Sequence, residues 1–235
     1  MKYSDAHCHI TKIPAPDIAC CICNATNESD WDKIIENTNS ETIFGAIGIH
    51  PWHLDSIKPG WESRLYAKLI QNPTIMVGEI GLDKYKPDMP QQIQIFTTQI
   101  KIAGELRRPI SLHCVGAWDK VMHILKAMGH NLPPAILAHG FNENAQIITQ
   151  TADKYNIYFS YSAHNSTPNL PDIIRATPNS RILTESDAFE PDCEMKPVID
   201  SVKIISESLD ISCNDTTEQI YENFQRMVSY VRPIE

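Results

Sequence analysis

The stretch IMVGEIGLDKYKPDMPQQIQIFTTQIKIAGELRRPISLHC, residues 75–114, decides the architecture. It opens with an apolar run over 75–80. Pro90 then stands where a helix begins, because the first helical turn has no use for the N–H that proline lacks. Ile93, Phe96, Ile100, Ala103 and Leu106 recur at helical spacing, and a second apolar run follows over 109–113. Strand, helix, strand in that order is a parallel unit, since parallel neighbours need a crossover.

The same alternation extends in both directions. Further apolar runs occupy 2–10, 18–25, 42–49, 135–138, 157–161 and 181–184. Helices are expected over 30–37 (capped by Ser29, with Asp32 in its first turn), 61–71, 117–128, 144–155, 171–176, 196–209 and 216–231. Eight short runs with helices mostly between them fit an α/β fold of the TIM (β/α)8 barrel type better than an open sheet. The 235 residues are close to the roughly 250 typical of that barrel, and no linker, repeat or low-complexity stretch divides them, so 1–235 reads as a single domain. One unit is irregular. Residues 11–17 alone join the first run to the second, whereas a helical crossover takes at least about ten to twelve residues. Pro14 and Pro16 also oppose a helix there. The barrel is therefore expected to be distorted by a missing first helix. A direct loop would leave the flanks of the first two strands to be covered by the C-terminal helices or a neighbouring subunit.

The formal charge of -9 excludes a basic footprint for tight nonspecific binding to nucleic acid. It does not exclude a nucleic-acid substrate, because bound divalent ions supply positive charge that residue counting misses. The cysteine count is odd at seven, the opening MKYSDAHCHI has no sustained apolar region, and no apolar run is long enough to span a bilayer. These features lead to the expectation of a cytoplasmic protein with free thiols and no membrane association. Cys20 and Cys23 formally make C-x-x-C within DIACCICNA, but that segment reads as a buried strand whose thiols act as small core hydrophobes.

Residues of metal-binding type gather where the runs end: Asp5, His7 and His9 at the first, His50 at the third, Glu79 with Asp83 just beyond at the fourth, His113 at the fifth, His139 at the sixth and Asp187 after the eighth. A barrel brings the C-terminal ends of its strands to one mouth. His7 and His9, two apart on a strand, share a face and can chelate one ion. Glu79 can bridge two ions with its two oxygens, His113 and His139 would hold the second, and Asp187 would contact the first and orient the attacking water. Imidazole with carboxylate suits zinc, manganese or similar divalent ions. Each residue alone is a weak signal, and their conjunction at five strand ends is a strong one. His53, His123 and His130 fall outside the pattern and read as solvated, with His164 left open.

These segments resemble the TatD family of metal-dependent hydrolases, within the amidohydrolase-like barrels. SDAHCH at 4–9 resembles the family's D-x-H-x-H opening, GIHPW at 48–52 its G-x-H-P-H segment, and VGEIGLD at 77–83 matches closely. Gln92, Phe96, Gln99 and Ala103 follow the family's next helix. PISLHC, LAHGF and LTESDAF resemble its later His, His and Asp segments, and Asn223 with Phe224 its closing helix, at tighter spacing. The resemblance implies a (β/α)8 barrel, two divalent metal ions (Zn, Mn or Mg) and hydrolysis of phosphoester bonds, often in DNA. It implies that His7, His9 and Asp187 hold one ion, that Glu79 bridges, that His113 and His139 hold the other, and that His50 lies near the substrate phosphate. Beyond the lost helix there are three departures. Val115 replaces an Arg two residues after the fifth-strand His, Trp52 replaces the last His of G-x-H-P-H, and E-T-D-A-P becomes Glu185, Ser186, Asp187, Ala188, Phe189. None removes a metal ligand, and Lys84 would supply a replacement cation for substrate. Short single-stranded DNA ends are the expected partners, since an acidic surface opposes long duplex.

Three rivals remain. An amidohydrolase of this superfamily would cleave an amide or carboxyl ester, but it usually bridges its metals with a modified lysine where Glu79 stands here. A metal-binding barrel with weakened catalysis would fit Val115 and Trp52. A Cys/His nucleophile at Cys8 or Cys114 requires side chains that strand alternation turns away from the adjacent His residues.

Overall fold

All eight apolar runs extend as strands, helped by branched and aromatic side chains that suit a pleated surface. The structure, a computed structural model, describes residues 1–10, 15–165 and 167–231. The strands are β1 (Tyr3–Cys8), β2 (Ile18–Asn24), β3 (Ile43–Ile47), β4 (Met76–Asp83), β5 (Ile110–Val115), β6 (Ile136–Ala138), β7 (Ile157–Tyr161) and β8 (Ile182–Thr184). They pair in parallel in sequence order. The helices are α1 (Trp31–Asn37), α2 (Trp61–Gln71), α3 (Met89–Glu105), α4 (Trp118–Met128), α5 (Ala145–Thr151), α6 (Leu170–Ala176), α7 (Met195–Leu209) and α8 (Cys213–Val228). The seam from β8 back to β1 carries Thr184 Oγ1 donating to Ser4 O at 2.9 Å, Asp187 N to His7 O at 2.9 Å and His9 N to Ala188 O at 2.7 Å. The result is a nearly closed (β/α)8 barrel.

The core has two layers. Inside the barrel, Cys20, Ile22, Phe44, Met76, Leu137 and Tyr158 fill the lower half, and Phe224 and Met227 of α8 pack beneath them. Outside, Val77, Ile80, Leu82 and Leu112 pack against Phe96 and Ile100 of α3 and Leu125 of α4. Above the inner apolar layer the interior turns polar, with Glu79, Ser111, His113, Ser160 and Glu185 all buried. That polar ring faces the mouth. No helix among the described residues is long and apolar enough to cross a membrane.

Three local expectations are corrected. Ser29 does not cap α1; Asn27 accepts from Ser29 N at 3.0 Å and caps a short 3-10 turn, Glu28–Asp30, that leads into the helix. α5 is shorter than expected, because the chain turns back through Asn156 in the left-handed region at φ 52, which asparagine tolerates. α8 starts earlier, where the Ser212 hydroxyl accepts from Asp215 N. The loop expected over 11–17 lies partly outside the described residues. Its described end, 15–17, is a turn closed by Ile18 N donating to Ala15 O at 3.0 Å. The N-terminal end of α7 reaches this turn, with Ala15 N donating to Glu194 Oε2 at 2.7 Å.

Candidate metal centre

Sequence-distant residues meet at the mouth because backbone and amide clamps fix the strand ends. The Asp5 carboxylate accepts from His7 N at 3.2 Å, Ser186 N at 2.9 Å and Ser186 Oγ at 2.5 Å, tying the start of the site on β1 to the segment that carries Asp187. Gln99 of α3 bonds both backbone groups of Ile49, at 2.7 and 3.1 Å, and so sets the residue before His50. Gln92, also on α3, accepts from Asp83 N at 2.8 Å and donates to Asp83 O at 3.0 Å. Both glutamines are fully buried, where an amide without partners would be costly.

Glu79 is the centre of the arrangement. Its Oε2 lies 3.4 Å from His7 Nε2 and 3.4 Å from His9 Nε2. Those two nitrogens are 3.3 Å apart, and Asp187 Oδ1 is 3.8 and 3.3 Å from them. The other oxygen, Oε1, lies 3.0 Å from His113 Nδ1, 2.8 Å from His139 Nε2 and 3.1 Å from His50 Nε2. His113 Nδ1 and His139 Nε2 are 3.1 Å apart, and the His7 and His139 rings stack at 3.8 Å between centroids. Donors around a tetrahedral ion at about 2.0–2.1 Å are about 3.3 Å apart, and donors at right angles about 3.0 Å apart. Both sets therefore have the spacing of metal ligands, and each takes one Glu79 oxygen.

The outer partners decide which nitrogen is available. His9 Nδ1 lies 2.9 Å from Asn24 O, an acceptor, so it carries the proton and leaves the Nε2 lone pair facing the centre. His7 Nδ1 is 3.1 Å from Ser111 Oγ. His50 is different: its Nδ1 accepts from Trp52 N at 3.2 Å, so the neutral ring carries its proton on Nε2 and donates. Two buried carboxylates lie behind the second set. Asp83 Oδ2 is 3.6 Å from His113 Nε2 and accepts from Trp52 Nε1 at 2.7 Å. Glu185 Oε1 is 3.8 Å from His139 Nδ1, and Glu185 Oε2 is held by the Ser160 hydroxyl. Among the described residues, His113 Nε2, His139 Nδ1 and Glu185 Oε1 have no hydrogen-bond partner closer than this.

The charges at the centre pair carboxylates with imidazoles. Burial opposes the Glu79 charge, yet His50, His139 and His7 around it hold its carboxyl well below the usual range. Partial burial opposes Asp187 too, and the hydrogen bond to His9 with the neighbouring imidazoles brings it down to about 2. Burial works against a charge on His9, but Asp187 and Glu79 push it up to about 9. His139 is raised against burial by Glu79 and Glu185. Burial lowers His50 to about 4 and also lowers His7. Two carboxylates thus stay ionised beside lifted imidazoles, the place a divalent ion would fill with the protons displaced.

The mouth holds a cavity of about 200 Å³ bordered by His9, His50, Trp52, Glu79, His113, His139, Asp187 and Phe189. His53, expected to be solvated, also borders it, as does Thr26. Lys84, expected as a cation for substrate, does not: its side chain lies over Gly116, with Nζ 4.9 Å from the Tyr85 ring centre. Lys86 is closer, with Nζ 4.0 Å above the Trp52 ring. Sequence reasoning left Glu185 without a role and found no signal for it beyond its place two residues before Asp187. The side chains of Cys8 and Cys114 stay off the cavity lining.

Comparison with known proteins identifies the family and the fold. The family model described as TatD related DNase matches residues 4–229. The chain is 31% identical over 152 residues to a metal-dependent hydrolase of Bacillus subtilis, YabD, covering 62% of this chain and 58% of the relative. It is 27% identical over 151 residues to the 3'-5' ssDNA/RNA exonuclease TatD of Klebsiella pneumoniae, covering 62% of this chain and 57% of that protein. Against the human 3'-5' RNA nuclease TATDN2 the match is 26%, covering 67% of this chain and 21% of the relative. The chain thus spans less than two thirds of each relative's length. Among solved structures, the TatD homologue YJJV of Escherichia coli superposes with a TM-score of 0.82 at 22% identity, covering 96% of this chain and 97% of that one, which shows the shared barrel.

Proposed function

The chain belongs to the TatD related DNase family, and from that premise we propose that it hydrolyses phosphodiester bonds at single-stranded nucleic-acid ends, using two divalent ions. The observation that carries the reading is Glu79, whose two oxygens each face a separate donor set. In this reading His7, His9, Asp187 and Glu79 Oε2 hold one ion, and His113, His139 and Glu79 Oε1 the other. Bound there, the ions supply positive charge to the attacked phosphate and acidify a water.

The chain's own groups do the rest. Asp187 is half exposed, reaches into the cavity and stays ionised, so it accepts the water proton. His50 points its Nε2–H at the centre and donates to a phosphate oxygen. Asp83 and Glu185 face the outer nitrogens of His113 and His139 and would orient both rings once an ion is bound. Trp52 and Phe189 border the cavity with 52% and 67% of their surface exposed, and Phe189 already stacks on His9 at 4.6 Å. Aromatic faces so placed accept unpaired bases. The net charge of -9 and the absence of an arginine at Val115 disfavour a long duplex.

The test measures cleavage of a short single-stranded oligonucleotide, a long duplex and a cyclic amide, with manganese, zinc or magnesium added to metal-stripped protein. Metal-dependent cleavage of the single strand is expected. Preference for the cyclic amide would place the chain with amidohydrolases, absent turnover would leave a binding barrel, and metal-independent turnover would refute the two-ion reading.

A further inference from the structure

The cysteines that looked like ordinary core residues form a cluster on the other side of β1. Cys20 and Cys23, three apart, point to opposite faces, so the C-x-x-C pair does not meet. Cys20 packs inside the barrel, whereas Cys21 and Cys23 face outward, where Cys8 joins them from the neighbouring strand. Cys23 Sγ lies 3.6 Å from Cys8 Sγ and 3.6 Å from Cys21 Sγ. The three sulfurs are within 4.8 Å of one another, and so are Cys8 Sγ and carboxylate oxygens of Asp5 and Glu194. Among the described residues no donor reaches Oε1 of the fully buried Glu194, whose carboxyl faces that of Asp5. Among the described residues no lysine or arginine ion pair reaches either carboxylate.

Three buried thiols need no special account, because each can serve as a small hydrophobe. Two fully buried carboxyl groups crowded against a thiol do, since no basic side chain among the described residues balances a charge there. The sulfur spacing supplies the explanation. Around a tetrahedral ion with Zn–S bonds of about 2.3 Å, sulfurs sit about 3.8 Å apart, close to the separations observed. Sulfur donors select zinc or copper(I) over magnesium or calcium. The cluster also sits where β1 and β2 are joined by a short connection, under the turn that Glu194 ties to α7.

We propose that Cys8, Cys21 and Cys23, with the Glu194 carboxyl that lies against Cys8 turning in as the fourth donor, form a closed, structural binding site for one zinc-class ion, separate from the histidine centre. Binding releases the three thiol protons to solvent and leaves three thiolates and one carboxylate on the ion. The site joins β1, β2 and α7. His7 and His9 flank Cys8 in sequence but point to the opposite face. A cavity of about 200 Å³ beside Cys21, bordered by Ala15, Pro16 and Thr42, gives an ion access from the outer side.

The test is a titration of reduced, metal-stripped full-length protein with cobalt(II) chloride alone. The exposed thiols are first removed by Cys193→Ser and Cys213→Ser. A thiolate-to-cobalt charge-transfer absorption is expected to saturate at one equivalent per chain. The histidine centre has only nitrogen and oxygen donors and gives no such band, so His9→Ala should retain it. Cys23→Ser should abolish it, and Glu194→Gln should weaken cobalt binding at this site at least tenfold. No charge-transfer band at cobalt saturation overturns the proposal without reference to any variant. A band that persists in a folded Cys23→Ser protein, or an intact mass two hydrogens low under non-reducing purification, overturns it as well. Unchanged affinity in Glu194→Gln removes that ligand and refutes the donor set proposed.

Discussion

Glu185→Gln should weaken one ion of the pair and spare the other. Glu185 is fully buried, its Oε2 is engaged by Ser160, and its Oε1 faces His139 Nδ1 at 3.8 Å with no other partner on either atom. The substitution keeps the shape and removes the charge. Two unit charges at that separation interact by about 4 kcal/mol at an effective dielectric of about 20, an upper limit because a neutral imidazole N–H carries part of a charge. Loss of an outer carboxylate behind a metal-bound histidine typically costs about 10–100-fold in affinity, or about 1.4–2.7 kcal/mol. This range lies below that limit, so the ion held by His113 and His139 should bind about 10–100-fold more weakly. The ion held by His7, His9 and Asp187 should change by less than about threefold, within the scatter of additive sites. Competition with a chromophoric chelator for manganese resolves the two affinities, and urea unfolding of the metal-free variant checks that the barrel is intact. Equal weakening of both ions, or no weakening at all, would refute the outer role given to Glu185.

Three further outcomes are expected. Asp187→Asn should lower kcat by about 10²–10⁴-fold, the range for a general base, while metal analysis still finds most of the metal; Glu79→Ala should lose both metal and turnover. Phe189→Ala and Trp52→Ala should each raise KM for a single-stranded oligonucleotide by about 5–150-fold, from about 1–3 kcal/mol per stacked base, and should leave KM for a small chromogenic phosphodiester nearly unchanged. In metal-free protein, burial lifts Glu194 from 4.5 to about 7, so the folded state keeps a proton that the unfolded chain releases. Stability from this group is then full at low pH and falls as pH rises from about 4.5 to about 7, and urea midpoints across that window should flatten in Glu194→Gln.

The barrel was legible in the chain because its signals are local. Apolar runs at 75–80 and 109–113 around the helical period of Ile93, Phe96 and Ile100 specify a strand, a crossover and a strand without reference to distant residues. The gathering of His7, His9, Glu79, His113, His139 and Asp187 was readable for a related reason. Once eight strands run parallel into a barrel, residues at their C-terminal ends share one mouth. What the linear order left open depends on contacts across the fold. The two oxygens of Glu79 differ only through their neighbours. His50 becomes a donor because the Trp52 amide takes its Nδ1. Glu185 becomes the partner of His139 only when β8 lies near β6, and His53 enters the cavity although its place in the chain looks solvated. Lys84 turns over Gly116 and does not border the cavity. Strand alternation could separate Cys20 from Cys23, but bringing Cys8 to Cys21 and Cys23, and Glu194 to Cys8, required the register of β1 on β2 and the docking of α7. Periodicity states which way a side chain faces, while its partner is decided by which elements pack against that face, and so is its chemistry, because proton position and ligand spacing follow from the nearest atoms in space.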